Sequence, residues 1–322
     1  MNPEKHLISI ICAIRNDARF IRETLESVVA QTYPNWELII MDGASTDATP
    51  QIAKEYADKY RNIILRSEPD EGQWHALDKA LALAKGEFIM TVCGQDGYLN
   101  KNWLAECAQA FERNPEVSLV WGVPFDMSED GKLLGPHYAY ASFLNDPQYA
   151  ARPKPLRTIM AKIDWQRSSA WERLKRLLGK ITWSRIKMVL KSFRPHKMPQ
   201  KEHWFFYWLK TGRAFPEGNM CVRRNVYERL TRRFPEETMT NAAMLDFCFK
   251  FNAGGYLSYG LPLAASFGRL HAGGQALRDY DDMLTAKYNR QISEFRTKIS
   301  GQKTLKFIDA AGNVVSERAM SV

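Results

Sequence analysis

Residues 7–14, LISIICAI, are eight consecutive apolar or small positions rich in β-branched isoleucine, followed at once by the polar turn Arg15-Asn16-Asp17. A strand with one buried face alternates apolar and polar residues, whereas a continuous run buries both faces, as in a parallel sheet covered by helices. Outward from this strand, Phe20, Ile21, Leu25, Val28 and Val29 recur at helical spacing and end near Tyr33-Pro34. A second apolar run, WELIIM (36–41), stops at Asp42. STDATP (45–50) then opens a helix with Ser45 or Thr46 as its cap and Pro50 in its first turn. A third strand, NIILRS (62–67), leads through EPDEG (68–72) into a helix from about Gln73 to Lys85, with Gly86 at its end. FIMTVC (88–93) is the fourth strand. The order βαβαβαβ predicts an α/β fold with a mostly parallel sheet and helices on both faces.

In such sheets ligands bind beyond the carboxyl ends of the strands. Here those ends carry Arg15 to Asp17, Asp42, Glu68 to Asp70, and Gln95-Asp96 within the loop GQDG. Gly94 and Gly97 let the backbone turn sharply and approach a ligand, although Gly and Asp also make ordinary turns. Several acids in one crevice repel unless a cation or hydrogen-bond donors compensate them, and a divalent metal carrying phosphates is the economical compensation. Neither GxGxxG after the first strand nor GxxxxGK[ST] occurs, which disfavours the glycine-cradle modes of binding dinucleotides and nucleoside triphosphates.

Bulk properties narrow the class further. The 322 residues, 45% hydrophobic, suffice for a large core and exclude a disordered or fibrous chain. Cys12, Cys93, Cys107, Cys221 and Cys248 are scattered and odd in number, which suggests a reducing cytosol rather than a disulfide framework. No signal peptide and no run of about 20 uncharged residues is evident, so the expected protein is soluble or lies on a membrane. The net charge of +9 is uneven: residues 151–213 hold 17 lysines and arginines against Asp164, Glu172 and Glu202.

The motifs ISIICAIRN, QTYPNWELIIMDGASTDAT and EPDEGQWHALDKALALAKGEFI resemble the nucleotide-binding half of family 2 glycosyltransferases with the GT-A fold, over residues 7–125. The resemblance implies that Asp42 receives the edge of a uracil or other base, with Ala13, Ile14 and Arg15 lining the base pocket. It places Asp70 on the loop closing over the nucleotide. Asp96 matches the last acid of the D-x-D motif that coordinates Mn²⁺ or Mg²⁺ on the diphosphate. AIRN stands where the family often has PTYN, Asp78 replaces a common Asn, and Gln95 replaces the acid before Asp96. Gln95 can hydrogen-bond a ribose or sugar hydroxyl but adds no charge. Trp74, after the EPDEG loop, either stacks on a sugar or fills the core.

The second half resembles the family more loosely. GNMCVRRNVYERL (218–230) looks like the strand and helix on the acceptor side, and TNAAMLDFCFKF like the helix presenting the catalytic base, which by that match is Asp246. The bland alternative is that Asp246 caps its helix. SFGRLHAGGQ (266–275) resembles the family's late R-x-H-x-G-S segment, which would bring His271 to the metal or diphosphate and Arg269 to a phosphate.

Within 151–213, apolar residues at helical spacing with Lys and Arg opposite suit helices lying on an anionic membrane surface, and the aromatics of HWFFYWL (203–209) suit its interface. Packing on the protein's own core or a homo-oligomer contact is the alternative; nucleic-acid motifs do not accompany the charge. The expected organisation is thus 1–125 nucleotide-sugar-binding half, 126–150 connection, 151–213 basic helical insert, 214–275 acceptor-side half, and 276–322 a helix with a terminal hairpin around Gly312 and Asn313. The resemblance implies an enzyme transferring sugar from a nucleotide-sugar donor, a UDP-sugar by preference, to a glycan or lipid-linked acceptor by inversion with metal assistance, and the cysteines and the basic insert add the expectation of a cytoplasmic, peripheral location. A non-catalytic sugar-nucleotide- or membrane-binding relative is the rival reading.

Overall fold

Four parallel strands form the part of the fold that the sequence pattern defines: β1 (Ile8–Ile14), β2 (Trp36–Asp42), β3 (Ile63–Ser67) and β4 (Phe88–Cys93), in the order β3-β2-β1-β4. They are linked by α1 (Ile21–Val29), α2 (Thr49–Lys59) and α3 (Gln73–Leu83). β1 and β2 are buried almost throughout, as continuous apolar runs require. This is a computed structural model, and it describes residues 6–137, 201–212, 215–231, 242–271 and 282–319. They belong to one unit, Met1–Tyr140 with Gln200–Val322; a second unit, Ala141–Pro199, lies outside the described residues.

The strand ends are aligned by pairing register. Ile14 stands opposite Asp42, Asp42 opposite Ser67, and Ala13 opposite Cys93. Four loops therefore leave the sheet along one line. Two helix boundaries differ from expectation. α2 starts at Thr49, not at a Ser45 or Thr46 cap, because the Ser45 hydroxyl is spent on Asp42. α3 stops at Leu83, because the Lys85 and Gly86 amides are drawn away to the Glu37 carboxylate (2.6 Å) and the Ser9 hydroxyl (2.7 Å).

Beyond β4 the sheet continues with mixed directions. β5 (Gly97–Tyr98), α4 (Trp103–Arg113), β6 (Leu119–Ser128) and β7 (Leu133–Pro136) precede α5 (Lys201–Thr211). Then come β8 (Cys221–Arg223), α6 (Arg224–Thr231), α7 (Ala242–Ala253), β9 (Ser258–Leu270) and α8 (Asp282–Ser300). β8 is antiparallel to both β4 and β6; β9 runs parallel to β6 and antiparallel to β5. The expected terminal hairpin is present as β10 (Thr304–Ile308) and β11 (Val314–Ala319). Its turn is held by Asp309 Oδ1, which accepts from the Ala311 and Asn313 amides, both at 2.9 Å, and by Gly312 at φ +97°.

Of the two readings open for the aromatics of α5, a membrane interface or the protein's own core, three of them follow the second. Trp204, Phe205 and Trp208 are buried. Trp204 meets Trp121 edge-on at 4.7 Å, Phe205 meets Phe307 at 5.2 Å, and Trp208 donates its indole N–H to the Tyr288 hydroxyl at 2.8 Å. α5 thus joins β6, α8 and the terminal hairpin into a core of their own. The basic stretches at 151–200 lie outside the described residues, and among the described residues no helix is long and apolar enough to cross a membrane. Replacing Trp208 with Ala should lower unfolding free energy by about 3–5 kcal/mol in lipid-free buffer. Chemical denaturation tests this, and an unchanged midpoint would remove α5 from the core.

Candidate functional site

The four aligned strand ends build the crevice, and its first two loops are fastened to each other. Asp42, 1% exposed, accepts from the Ser45 hydroxyl, the Ser45 amide (3.2 Å) and the Ser67 hydroxyl (2.6 Å). The loop after β1 is tied down by the loop after β2. The Asn16 amide donates to Ser45 Oγ (2.8 Å), the Asp17 amide to Thr49 Oγ1 (2.7 Å) and the Ala18 amide to Asp47 Oδ2 (3.1 Å). In return the Thr46 amide donates to Asn16 Oδ1 at 2.9 Å. The short polar residues of STDAT are thus a latch rather than a helix cap. Asn16 and Ala44 both sit at φ 54°, in the left-handed region that L-residues enter at a cost of about 1 kcal/mol, and the latch holds them there.

Two carboxylates occupy space that only glycine leaves free. A Cβ on Gly43 would collide with the Asp70 carboxylate, and one on Gly94 with the Asp17 carboxylate. Asp70 also accepts from the Gly72 amide at 2.8 Å, which fixes the loop that follows β3. Asp17, expected at the end of the first strand but given no role there, is a member of the crevice. Its signal is positional: it is the acid just past β1, as Asp42, Asp70 and Asp96 are the acids at or past β2, β3 and β4.

Burial pushes the Asp17 carboxyl up to about 6, with Asp47 and Asp42 adding to the rise and the Arg15 amide opposing it. Burial likewise lifts Asp96 to about 6, opposed by the Arg269 amide and reinforced by Asp17. Both effects disfavour the charged form, and the same two carboxylates help raise the buried Cys12 thiol.

Asp96 lies between β4 and β5. Its carbonyl accepts from the Thr24 hydroxyl (2.6 Å) and its Oδ1 from the Arg269 amide (3.2 Å). Beside it, His271 Nε2 meets Gln95 Oε1, and the imidazole packs on Phe20 at 5.0 Å. The structure therefore brings together Asp96, Gln95, Arg269 and His271, but the His271 nitrogen expected at a metal is engaged by Gln95. Among the described residues no group of three or more His, Cys, Asp or Glu side chains is placed to hold an ion. The oxygen donors at hand are Asp96 and Asp17, half-buried acids without a cationic side chain hydrogen-bonded to either carboxylate among the described residues. That donor set fits a hard divalent ion whose remaining ligands are phosphate and water.

Other expected residues fall elsewhere. Arg269 is not free for phosphate: its side chain is 2% exposed and its guanidinium is spent on Glu23 and the carbonyls of Ser128 and Glu129. Trp74, 5% exposed, is a core residue of α3 and offers no face to a sugar. Ile14 is buried, Ala13 half-buried and Arg15 exposed at the mouth. Asp246 lies on α7, half-buried, with Lys250 Nζ at 2.5 Å from its Oδ2. The glycines after His271 lie outside the described residues.

A mostly parallel α/β sheet with acids aligned at its strand ends is consistent with the GT-A fold of glycosyltransferases. The chain belongs to glycosyl transferase family 2, which it matches over residues 9–190. Among curated relatives it is 38% identical over 91 residues to EpsE of Bacillus subtilis, named as a glycosyltransferase, a stretch covering 28% of this chain and 33% of that one. It is 34% identical over 131 residues to TuaG of the same organism, named as a teichuronic acid biosynthesis glycosyltransferase, covering 40% and 51% respectively. The matched stretches thus span about a third to half of those relatives. Among solved structures, TarS 1–349 of S. aureus in complex with UDP superposes with a TM-score of 0.54 at 15% identity, over 92% of this chain and 66% of that one; the likeness is one of fold.

Because Asp17 and Asp96 bind protons more tightly folded than unfolded, their contribution to stability is greatest below about pH 4 and is lost as pH rises through about 6. Asp17→Asn should therefore raise stability at pH 8 by about 1–2 kcal/mol and leave it nearly unchanged at pH 4. Urea unfolding at the two pH values reads this, and a loss of stability at pH 8 would show that the carboxylate is compensated in the free protein.

Proposed function

We propose that this chain transfers a sugar, with inversion, from a nucleotide-diphosphate sugar to a glycan or lipid-linked glycan acceptor in surface polysaccharide biosynthesis. The observation that carries the reading is the line of Asp17, Asp42, Asp70 and Asp96 at four strand ends, with Gly43 and Gly94 clearing space for two of them. Uracil is the base of choice, although Asp42, 1% exposed and already accepting from Ser45 and Ser67, would have to open before it could take a base N–H. The UDP in the TarS structure supports the same choice.

Ala13 and Arg15 flank that position at the end of β1. Asp70 closes from the third loop, and Gln95 offers its amide to a ribose or sugar hydroxyl. Asp96, with Asp17, would hold a divalent cation, Mn²⁺ or Mg²⁺; such an ion, when bound, neutralises charge on the leaving diphosphate. Asp246 is the proposed base. The rival reading, a non-catalytic relative, draws on Gln95, which is neutral where the family carries an acid.

Calorimetry with UDP and GDP in Mn²⁺ tests the donor site, with tighter UDP binding expected. Asp246→Asn should cut turnover by about 10²–10⁴-fold and leave UDP affinity within about twofold. Full activity in Asp246→Asn would remove it as the base, and the absence of nucleoside diphosphate release by the unaltered protein would favour the non-catalytic rival.

A further inference from the structure

Arg269 carries a buried charge at the point where three elements of the crevice meet. Its guanidinium lies 4.9 Å from the centre of the Phe20 ring and 5.7 Å from that of Phe267. One terminal nitrogen donates to the carbonyls of Ser128 (3.1 Å) and Glu129 (3.3 Å) in the β6–β7 turn. The other pairs with Glu23 on α1, whose side chain is 49% exposed. The backbone of the same residue does separate work: its amide donates to Asp96 Oδ1, and two residues on, His271 reaches Gln95. The guanidinium therefore anchors the strand end that carries both contacts to the GQDG loop.

A buried guanidinium needs a counter-charge, and removing one partner of such a pair leaves the other seeking a replacement. Glu23 supplies it here. Asp96, and Asp130 in the β6–β7 turn, are further carboxylates within electrostatic reach of Arg269, and of the two only Asp96 accepts from its amide. Without Glu23 the guanidinium would turn toward Asp96 and compete with a cation for that carboxylate. With a lysine in place of Arg269, the fork that spans Glu23 and two carbonyls is lost, and the end of β9 is released.

We propose that the Glu23–Arg269 pair is a positioning clamp that keeps the Asp96 carboxylate oriented and available for a cation-bound diphosphate. This rests on the reading of the crevice as a nucleotide-diphosphate site. The clamp touches neither nucleotide nor acceptor, and it acts through the Arg269 amide and the His271–Gln95 contact. Its effect falls on the part of nucleotide affinity that depends on the metal, while base recognition at Asp42 is spared.

The test is calorimetric titration of the full chain with UDP, in Mn²⁺ and in EDTA, for the unaltered protein, Glu23→Gln, Arg269→Lys and the double variant. Glu23→Gln should weaken binding about tenfold in Mn²⁺, equivalent to ~1.4 kcal/mol, and by less than about twofold in EDTA. Arg269→Lys should act in the same direction, and the double variant should be no weaker than the worse single one, since both remove one interaction. Equal losses in Mn²⁺ and EDTA, or none, would overturn the clamp and leave the donor site standing. If the unaltered protein shows no Mn²⁺-dependent UDP binding, the reading of the crevice fails and the clamp with it. Glu23 is half exposed, so its variant decides the matter even if Arg269→Lys does not fold.

Discussion

Like charge brought together at the ends of parallel strands is the constraint around which this molecule is organised. Parallel pairing puts Ile14, Asp42 and Ser67 in register, with Cys93 opposite the preceding Ala13, and each following loop carries polar or acidic residues. A single buried carboxylate can be satisfied by hydroxyls, as Asp42 is by Ser45 and Ser67. Asp17 and Asp96 accept only a backbone amide each among the described residues, without a cationic side chain hydrogen-bonded to either carboxylate there, and burial pushes both toward the neutral form. A fold selected for stability alone would replace them. Their retention is understandable if the missing positive charge arrives with the ligand.

That division shows what the sequence could reveal. β1 to β4 were legible because a parallel strand buried on both faces has to be written as an unbroken apolar run, and the terminal hairpin because Gly312-Asn313 sits between two β-favouring segments. The start of α2 was not legible from STDAT alone. Ser and Thr are equally suited to a cap and to a tertiary latch, and only the nearness of Asp42 and Asn16, fixed by register, decides between them. Asp17 was legible as a strand-end acid but its role was not, since that depends on Gly94, 77 residues away in sequence and on the loop after the neighbouring strand β4.

The aromatic helix α5 was open to two readings. HWFFYWL has the composition of a membrane interface and also of a core that joins three elements, because both environments reward large rings with a polar handle. Burial of Trp208 together with its bond to Tyr288 settles the matter for α5, since an indole at a lipid interface would present that N–H outward. The positive excess of residues 151–213 is a separate property. Of its basic residues, Lys201 is already paired with Glu116 on the body.

Arg269 carries this reasoning into the crevice. On composition, an arginine two residues before a histidine next to a diphosphate site reads as a phosphate ligand. Its burial argues otherwise, because a guanidinium that already donates to two carbonyls and a carboxylate cannot turn to a phosphate without leaving those acceptors unpaired. The positive charge is useful where it is: it balances Glu23, lowers the cost of ionising Asp96 and fixes the amide that orients that acid. Holding an arginine just behind the acids, rather than among them, reconciles an acidic crevice with a negatively charged ligand. On the proposed reading, a diphosphate would meet Asp17 and Asp96 through a cation, while the protein's own cation, Arg269, favours the ionised form of Asp96.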